Sequence, residues 1–318
     1  MSALYRYRAY DLAIEAGIAL PELVPWREDA WVGGGPDVSI QLGRVPARLD
    51  GATGSDWLQT RPDAFLLDIE GVARYLVRGG SQVLIDPADG ASAHDVRVYL
   101  LGTCFGGLLH QRGLLVLHAS AIGDSHGATL LCGHSGRGKS TLLGELLARG
   151  HRMLVDDVCA ITLDAVGVPI AQPAYPRTRL WADAARRLGR DVADLPRTQP
   201  DVDKFELQVP EHFWNKAAPV RAIYVLSVVD HERLHFEPLP VVERFAALLE
   251  HTYRRVFLDA LEMQTAHFDL ATAVAREVPV TRVVRSMTPY RLDELADGIE
   301  RQMVERRAPA TGSEQDGR

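Results

Sequence analysis

Lysine is nearly absent from this 318-residue chain, since 35 residues are basic but only Lys139, Lys204 and Lys216 are lysines. Arginine supplies positive charge elsewhere, so we expect each lysine to mark a place where a compact, flexible ammonium is needed. The chain also has no block of basic residues, and its net charge is −7. A nucleic-acid partner is therefore not expected, because such proteins carry a basic surface.

Cysteine and long apolar runs are also scarce. The three cysteines, Cys104, Cys132 and Cys159, have no metal-ligand spacing, and their odd number leaves one unpaired in any disulfide scheme. We therefore expect buried thiols in a reducing compartment. No segment approaches the roughly 20 apolar residues that span a bilayer, and the N-terminus lacks a secretory pattern. These features predict a cytoplasmic protein without a membrane partner.

The pattern of apolar and turn residues divides the chain into three parts. Short extended runs in residues 1–95, such as 38–42, 64–69 and 73–77, predict a small β-rich N-terminal domain. Helical spacing over 94–112 predicts a connecting helix, and residues 96–306 alternate between apolar strands and helices, which is typical of an α/β domain. The last part, 307–318, has few apolar residues and is predicted to be disordered.

A phosphate-binding loop is the clearest motif. The sequence from Gly133 to Ser140 fits G-x-x-x-x-G-K-[ST] in full, and it lies between an apolar strand, 128–132, and a predicted helix, 140–149. Its backbone N–H groups would surround the phosphates of ATP or another nucleoside triphosphate, Lys139 would reach the β and γ oxygens, and the Ser140 hydroxyl would ligate Mg²⁺. The predicted nucleotide-binding residues are Gly133, His134, Ser135, Gly136, Arg137, Gly138, Lys139, Ser140 and Thr141.

Two aspartates and a histidine are predicted to lie beside this loop. Asp156 and Asp157 follow a short apolar strand, and only one short helix and a turn separate that strand from Lys139. At the end of a neighbouring parallel strand, one carboxylate can hold Mg²⁺ while the other accepts a proton from an attacking hydroxyl. Alternatively, Asp157 caps the next segment and Asp156 alone is linked to the metal. His118, at the predicted end of strand 114–118, either orients a carboxylate or phosphate, or is a structural histidine.

These residues resemble a known family. The chain is similar to the kinase domain of HPr serine kinase/phosphorylase and its shorter relatives, the HPr-kinase-like proteins found in peptide-modifying gene clusters. The resemblance implies an α/β P-loop kinase domain of the HPr kinase C-terminal type. It also implies that Asp156 is the proton-transfer carboxylate, that His118 supports it, and that Asp157 and Ser140 lie around the metal. It is carried by His118-Ala119-Ser120-Ala121, the phosphate loop, and Arg149-Gly150-His151-Arg152-Met153-Leu154-Val155-Asp156-Asp157.

The resemblance extends over most of the chain. The shorter relatives share motifs like Arg6-Tyr7-Arg8-Ala9-Tyr10, Pro176-Arg177-Thr178-Arg179-Leu180-Trp181, and Lys204 ahead of a strand from Ala222. Some of them phosphorylate a serine of a lasso-peptide precursor. The Glu-Ile-Arg-Gly-Leu-Gly type signature of the bifunctional enzymes is missing, so the resemblance does not carry over phosphorylase activity, a hexamer or HPr as substrate. A homo-oligomer of another size stays open.

Three further cations are candidates for contact with the γ-phosphate or with an acidic substrate. They are Arg177, Arg179 and Lys204, and the alternative for the two arginines is solvated surface charge. The predicted function is an ATP- and Mg²⁺-dependent kinase that phosphorylates a Ser or Thr hydroxyl of a peptide or protein, with a lasso precursor as one candidate. The alternatives are a small-molecule kinase, or a regulatory or transport NTPase. Transport ATPases carry a Leu-Ser-Gly-Gly type signature that this sequence lacks.

Overall fold

The computed structural model describes residues 4–26, 35–199, 202–230, 233–286, 288 and 291–307. The disorder predicted for 307–318 falls almost wholly outside these residues, and only Arg307, the last residue of a helix, is described. The described part of the chain contains no helix that combines the length and the apolar composition needed to cross a bilayer.

The N-terminal part forms a nine-stranded sheet. Its strands are β1 (Tyr5–Ala9), β2 (Leu12–Ala16), β3 (Val24–Pro25), β4 (Val38–Leu42), β5 (Thr53–Gly54), β6 (Leu58–Arg61), β7 (Ala64–Ile69), β8 (Ala73–Arg78) and β9 (Gln82–Pro87). They lie in the order β3-β1-β2-β4-β9-β8-β7-β6-β5. The tight turn between β1 and β2 places Tyr10 and Asp11 at φ 55° and 60°. A two-residue hairpin turn needs positive φ at both positions to match the right-handed twist of its strands. Strands β4, β7 and β8 coincide with the three predicted extended runs.

The connecting helix is continuous but changes its winding. It consists of α1 (Ala93–Tyr99), a π-helical turn (Leu100–Cys104) and α2 (Phe105–Gln111). A π turn widens the helix locally, and such turns are frequent at functional sites. Here the turn lies against the loop that carries Tyr253, because a Cβ on Gly102 would lie 3.5 Å from the Tyr253 hydroxyl, and a Cβ on Gly106, in the first turn of α2, would come within 2.6 Å of the Tyr253 ring. Glycine at this position therefore lets the aromatic ring contact the helix backbone.

An eight-stranded sheet forms the centre of the second part. Its strands are β10 (Leu115–Asp124), β11 (Gly127–Cys132), β12 (Met153–Val155), β13 (Val158–Leu163), β14 (Pro169–Ala171), β18 (Ala218–Val228), β19 (His235–Pro238) and β20 (Val280–Arg285). The pairings run β11-β10-β13-β14-β18 and return from β18 to β11, so these strands close into a ring, while β20 and β19 extend the sheet from β18. Strands β11, β18 and β20 are parallel, so their carboxyl ends meet at one edge.

Strand β10 is longer than the sequence predicts, and this changes the position of His118. The predicted end at His118 is wrong, because the strand continues through the buried residues 119–123 to Asp124. Up to His118 it pairs with β13, and from Ala119 onward it pairs with β11 and β12. His118 thus lies where β10 changes partners. The prediction that β12 is a direct, parallel neighbour of β11 is wrong. Strand β12 pairs antiparallel with β10, which lies between the two.

A small third sheet and the remaining helices surround this centre. The three strands, in the order β15-β17-β16, are β15 (Arg177–Trp181), β16 (Arg197–Gln199) and β17 (Val202–Gln208). The helices are α3 (Lys139–Ala148), α4 (Ala182–Arg187), α5 (Val241–Glu250), α6 (Val256–Ala260), α7 (Gln264–Glu277) and α8 (Leu292–Arg307). The single helix predicted over 241–261 is interrupted, because Thr252 and Tyr253 extend along the start of β10 and Arg254 has φ 48°.

The apolar core crosses the predicted domain boundary at residue 95. Phe65 and Phe257, whose ring centroids are 4.7 Å apart, belong to the same buried cluster as Phe105 and Leu117. Burial of one such aromatic side chain contributes roughly 2 to 3 kcal/mol. A second cluster lies under α3, α8 and the three-stranded sheet and includes Leu143. Division of the chain into two domains stays a prediction, since the first cluster joins both parts.

Candidate active site

The phosphate loop lies between β11 and α3 in a conformation that only glycine adopts easily. Gly136 and Gly138 have φ values of 79° and 94°. Side chains with a Cβ are strained in this left-handed region, so the glycines allow the loop to turn with its N–H groups inward. Gly138 is also the residue before the first turn of α3, and Lys139 begins the helix. A loop of this shape that leads into a helix N-terminus is suited to binding an anion, the role for which the motif makes it a candidate.

Lys139 is buried inside the loop, with 8% of its surface exposed. Its ammonium group donates to the Gly133 carbonyl and contacts Nε2 of His118 at 3.0 Å. Burial lowers the pKa of Lys139, although the nearby charges of Asp156 and Asp157 oppose this effect. An anion such as a phosphate would replace lost hydration and give the buried ammonium a counter-ion.

His118 links Lys139 to a carboxylate. Because the ammonium donates to Nε2, Nδ1 carries the imidazole proton and donates to Oδ1 of Asp157 over 2.9 Å. Burial by itself raises the pKa of Asp157, but the hydrogen bond from His118, and then the positive charges of Arg179 and Lys139, lower it to about 2. Asp157 is therefore ionised at neutral pH. Its backbone has φ 85°, so the turn that separates it from Asp156 is left-handed.

Asp156 points to a different set of partners. Its Oδ1 accepts a hydrogen bond from the Ser120 hydroxyl, and its Oδ2 accepts from the Thr178 hydroxyl and from the Arg179 backbone N–H. Among the described residues, His118 contacts Asp157 and not Asp156, which differs from the pairing that the family resemblance implies. Asp156 follows β12 directly and Asp157 has the left-handed φ of 85°, and the two adjacent carboxylates have different partners.

The three predicted cation contacts are placed differently from one another. Arg179 lies beside the site and lowers the pKa of Asp157. Arg177 is 7% exposed and forms an ion pair with Glu206 at 3.3 Å, so its charge is already satisfied inside the protein. Lys204 faces Trp181 across the β15–β17 pair and is near enough to Lys139 to lower the pKa of that lysine. Only Arg179 of these three lines the pocket described next.

A pocket of about 470 Å³ opens beside Asp157. One wall is the π-turn region of the connecting helix, including Tyr99 and Thr103, and the other is the loop after α5. The pocket-lining residues that sequence analysis missed are Val98, Tyr99, Gly102, Thr103, Glu250, His251, Thr252, Tyr253 and Arg254. The last five of these residues fall within 241–261, which the sequence predicts as one helix. Only a tertiary contact, the hydrogen bond from Tyr253 N–H to the Val116 carbonyl, shows that this helix is interrupted.

The pocket and the phosphate loop share a direct contact. His134 of the loop meets Glu250, the last residue of α5, with 2.7 Å between His134 Nε2 and Glu250 Oε1. Both side chains are more than half exposed, so the pair contributes little stability. It does place the end of α5 next to the loop, and the His134 and His251 rings lie 5.2 Å apart.

The residues near the loop suit Mg²⁺, which prefers oxygen ligands and binds through one or two carboxylates together with phosphate oxygens. Asp157 has an oxygen, Oδ2, to which no described residue donates, and Ser140 lies half-buried in the first turn of α3. A second group among the described residues has three possible ligand atoms within 4.8 Å of one another: Glu22, His94 and Glu206. Arginines already bind both of its carboxylates, so adding a cation there is electrostatically unfavourable.

Two buried histidines under the pocket give the fold a pH dependence. Burial lowers the pKa values of His251 and His267 to about 4. Between pH 6.5 and 4 the unfolded chain binds protons at these positions that the folded chain does not, so the free energy of unfolding rises with pH in this window. We expect His267→Gln to remove about 3 kcal/mol of that rise. Urea unfolding at half-unit steps from pH 4.5 to 7.5 measures it, and an unchanged slope would contradict the assignment.

Comparisons with known proteins give a distant structural likeness. No family model matches the chain, and no curated protein matches it. Among solved structures, it is similar to the HPr(Ser) kinase/phosphatase from Coxiella burnetii, with 11% sequence identity and a TM-score of 0.34. The match covers 61% of this chain and 99% of that chain. At this identity and TM-score the likeness is only a distant structural one.

Proposed function

We propose that the chain is an ATP- and Mg²⁺-dependent kinase that transfers the γ-phosphoryl group to a Ser or Thr hydroxyl of a peptide or protein. The observation that carries this proposal is the chain of contacts from Lys139 through His118 to Asp157, which joins a phosphate loop to an open pocket. An NTPase that only hydrolyses or signals does not need an acceptor pocket beside its carboxylate, so this geometry favours group transfer.

Asp157, rather than Asp156, is the proton acceptor in this proposal. The acceptor hydroxyl enters from the pocket and attacks the γ-phosphorus, the new P–O bond forms as the bond to the β-phosphate oxygen breaks, and the hydroxyl proton passes to Oδ2 of Asp157. In this scheme Oδ2 is the base and not a metal ligand, so Ser140 and the phosphate oxygens would hold Mg²⁺. Bound ATP would supply the phosphoryl group, and Mg²⁺ would neutralise the charge on it. His118 holds the carboxylate in place, while Lys139 and the loop N–H groups bind the β and γ oxygens.

Asp156 has a supporting role in the same scheme. Its two oxygens accept three hydrogen bonds, from Ser120, Thr178 and Arg179, and these join β10, β12 and β15 at the site. A carboxylate so occupied has little capacity left for a substrate hydroxyl. We infer that it fixes the turn that directs Asp157 into the pocket, and that it reaches Mg²⁺ through water.

The pocket suits one extended side chain with its flanking backbone. Its charged residues have both signs, with Arg179 and Arg254 facing Asp157 and Glu250, so no strongly charged acceptor is implied. The resemblance to HPr-kinase-like proteins favours a peptide, and a ribosomally made precursor such as a lasso peptide is our candidate. The volume of about 470 Å³ would also hold a small polar molecule, so a small-molecule kinase is the second candidate.

Mass spectrometry of the products tests the proposal. The purified protein is incubated with ATP, Mg²⁺ and a library of Ser- and Thr-containing peptides, and a mass gain of one phosphoryl group on a peptide is the expected result. Matched peptides with Ala at the acceptor position serve as controls. Transfer to small hydroxyl compounds only would support the second candidate, and ATP hydrolysis without any transfer would contradict both.

A further inference from the structure

The position of Lys139, His118 and Asp157 determines which way a bound triphosphate runs. Strand β11 leads into the phosphate loop and pairs with β10 on one edge and β18 on the other. His118 is on β10, and Asp157 follows β12, which also pairs with β10. The γ-phosphate, which must meet these groups, therefore lies on the β10 side. The nucleoside, at the other end of the triphosphate, then lies on the side of β18 and β20.

The sheet presents a second cleft on that side. Strands β18 and β20 run parallel to β11, so their carboxyl ends, at Val228 and Arg285, lie at the same edge as the loop. The phosphate loop leaves β11 at this edge, so a ligand held by the loop and by the N-terminus of α3 lies there. Beyond Arg285, between β19, β20 and α8, is a cleft of about 870 Å³ that the acceptor pocket does not share. Its charged lining residues are four arginines and two acidic residues: Arg233, Arg285, Arg291, Arg301, Glu294 and Asp297.

Arg285 joins this cleft to the phosphate loop. It is 5% exposed, and its Nη2 donates to the Arg137 carbonyl of the loop over 2.9 Å while its Nη1 donates to the Ser286 carbonyl over 3.1 Å. The loop backbone and the cleft wall are thus held in one arrangement. Arg301, exposed on α8, and Arg291, exposed immediately before α8, lie on the opposite wall, where Arg291 pairs with Glu294 at 2.7 Å. Planar guanidinium groups stack on nucleobases and donate to their ring nitrogens and carbonyl oxygens.

We propose that this cleft binds the nucleoside of the triphosphate, with the base against Arg291 and Arg301 and with Arg285 setting its distance from the loop. This inference rests on the proposed function, because it assumes that the loop holds the β and γ phosphates. A volume of about 870 Å³ is ample for a purine and a ribose. An acidic segment of the substrate is the other class of ligand that arginines attract, and the experiment separates it from the nucleoside.

Isothermal titration of the full chain with Mg·ATP and with Mg·tripolyphosphate, which lacks a nucleoside, tests the cleft. Arg291→Ala and Arg301→Ala should each weaken ATP binding about tenfold and tripolyphosphate binding less than about twofold. A loss of long-range charge alone would weaken the more highly charged tripolyphosphate at least as much as ATP. Arg48→Ala, which removes an exposed arginine of the N-terminal part, is the matched control and should change neither affinity.

Each outcome of the titrations either supports or overturns the assignment of the nucleoside to the cleft. Equal weakening of both ligands, or an unchanged affinity for ATP together with a raised KM for an acidic peptide, would overturn the nucleoside assignment and leave the proposed function intact. Failure of the wild-type protein to bind either ligand would instead contradict the proposed function itself. Preferential loss of ATP binding in both Arg291→Ala and Arg301→Ala supports the assignment of the nucleoside to the cleft.

Discussion

Replacement of Lys139 by alanine is expected to abolish phosphoryl transfer, with a loss of at least ~10³-fold, because the ammonium stabilises charge on the transferring group. The folded protein should tolerate the change. Burial lowers the pKa of Lys139, so the fold holds this cation at a cost in desolvation. Lys139→Met keeps the apolar stem without the charge, and we expect its thermal midpoint to equal or exceed that of the wild type. Label transfer from ATP and thermal unfolding measure the two effects.

The chain offers a matched control for this experiment. Lys216 is one of its three lysines and is exposed in the loop before β18. Lys216→Ala removes the same charge without touching the loop, so transfer and stability should stay at wild-type levels. Normal transfer by Lys139→Ala would remove the phosphate loop from the mechanism. A large drop in the melting temperature of Lys139→Met would show that the lysine is structural.

Asp157→Asn should lower phosphoryl transfer by at least ~10²-fold while changing ATP affinity by less than about threefold, because the amide cannot accept the hydroxyl proton. Asparagine is the suitable replacement, since it tolerates the left-handed backbone that Asp157 adopts at φ 85°. Single-turnover transfer and ATP titration separate the chemical step from binding. Asp269→Asn, which changes an exposed aspartate on α7, is the control and should behave as wild type.

Asp156→Asn is the comparison that separates the two carboxylates. An amide nitrogen cannot accept the hydrogen bonds that one oxygen receives, so we expect a loss of about 1 to 3 kcal/mol in the free energy of unfolding. Its transfer rate should fall less than that of Asp157→Asn at a temperature where both variants are folded. The reverse order, with full transfer in Asp157→Asn, would return the proton-acceptor role to Asp156, as the family resemblance implies.

The phosphate loop could be recognised from sequence because its function depends on residues that follow one another in the chain. Glycines at 136 and 138 are required by local backbone angles, and the strand before them and the helix after them show their own apolar patterns. The sequence predicts less of the site beyond the loop. His118 was expected at a strand end, whereas it lies within β10, because the buried run after it continues to pair with β11 and β12.

The acceptor pocket shows the same limit. Residues 241–261 have apolar spacing that fits one helix, yet the chain leaves the helix after Glu250 so that Tyr253 can bond to β10 and contact Gly106. Periodicity cannot report such an interruption, since the bond of Tyr253 is to a strand more than 130 residues earlier. Likewise, Arg177 and Arg179 lie two residues apart on one face of β15, and both pair with Glu206, at 3.3 and 3.8 Å. Only the tertiary structure shows that Arg177 is buried there, whereas Arg179 also lies near enough to Asp157 to lower the pKa of that carboxyl group.

By itself the sequence determined a phosphate loop with its lysine, two adjacent carboxylates close behind it, and an alternation of strands and helices around them. These are short-range properties, set by glycine backbone freedom and by which residues are apolar. Tertiary structure alone decided that His118 contacts Asp157, that Asp156 is occupied by Ser120 and Thr178, and that the connecting helix and the loop after α5 enclose a pocket. Such contacts depend on strand pairing and a left-handed turn, because these set the direction of each side chain.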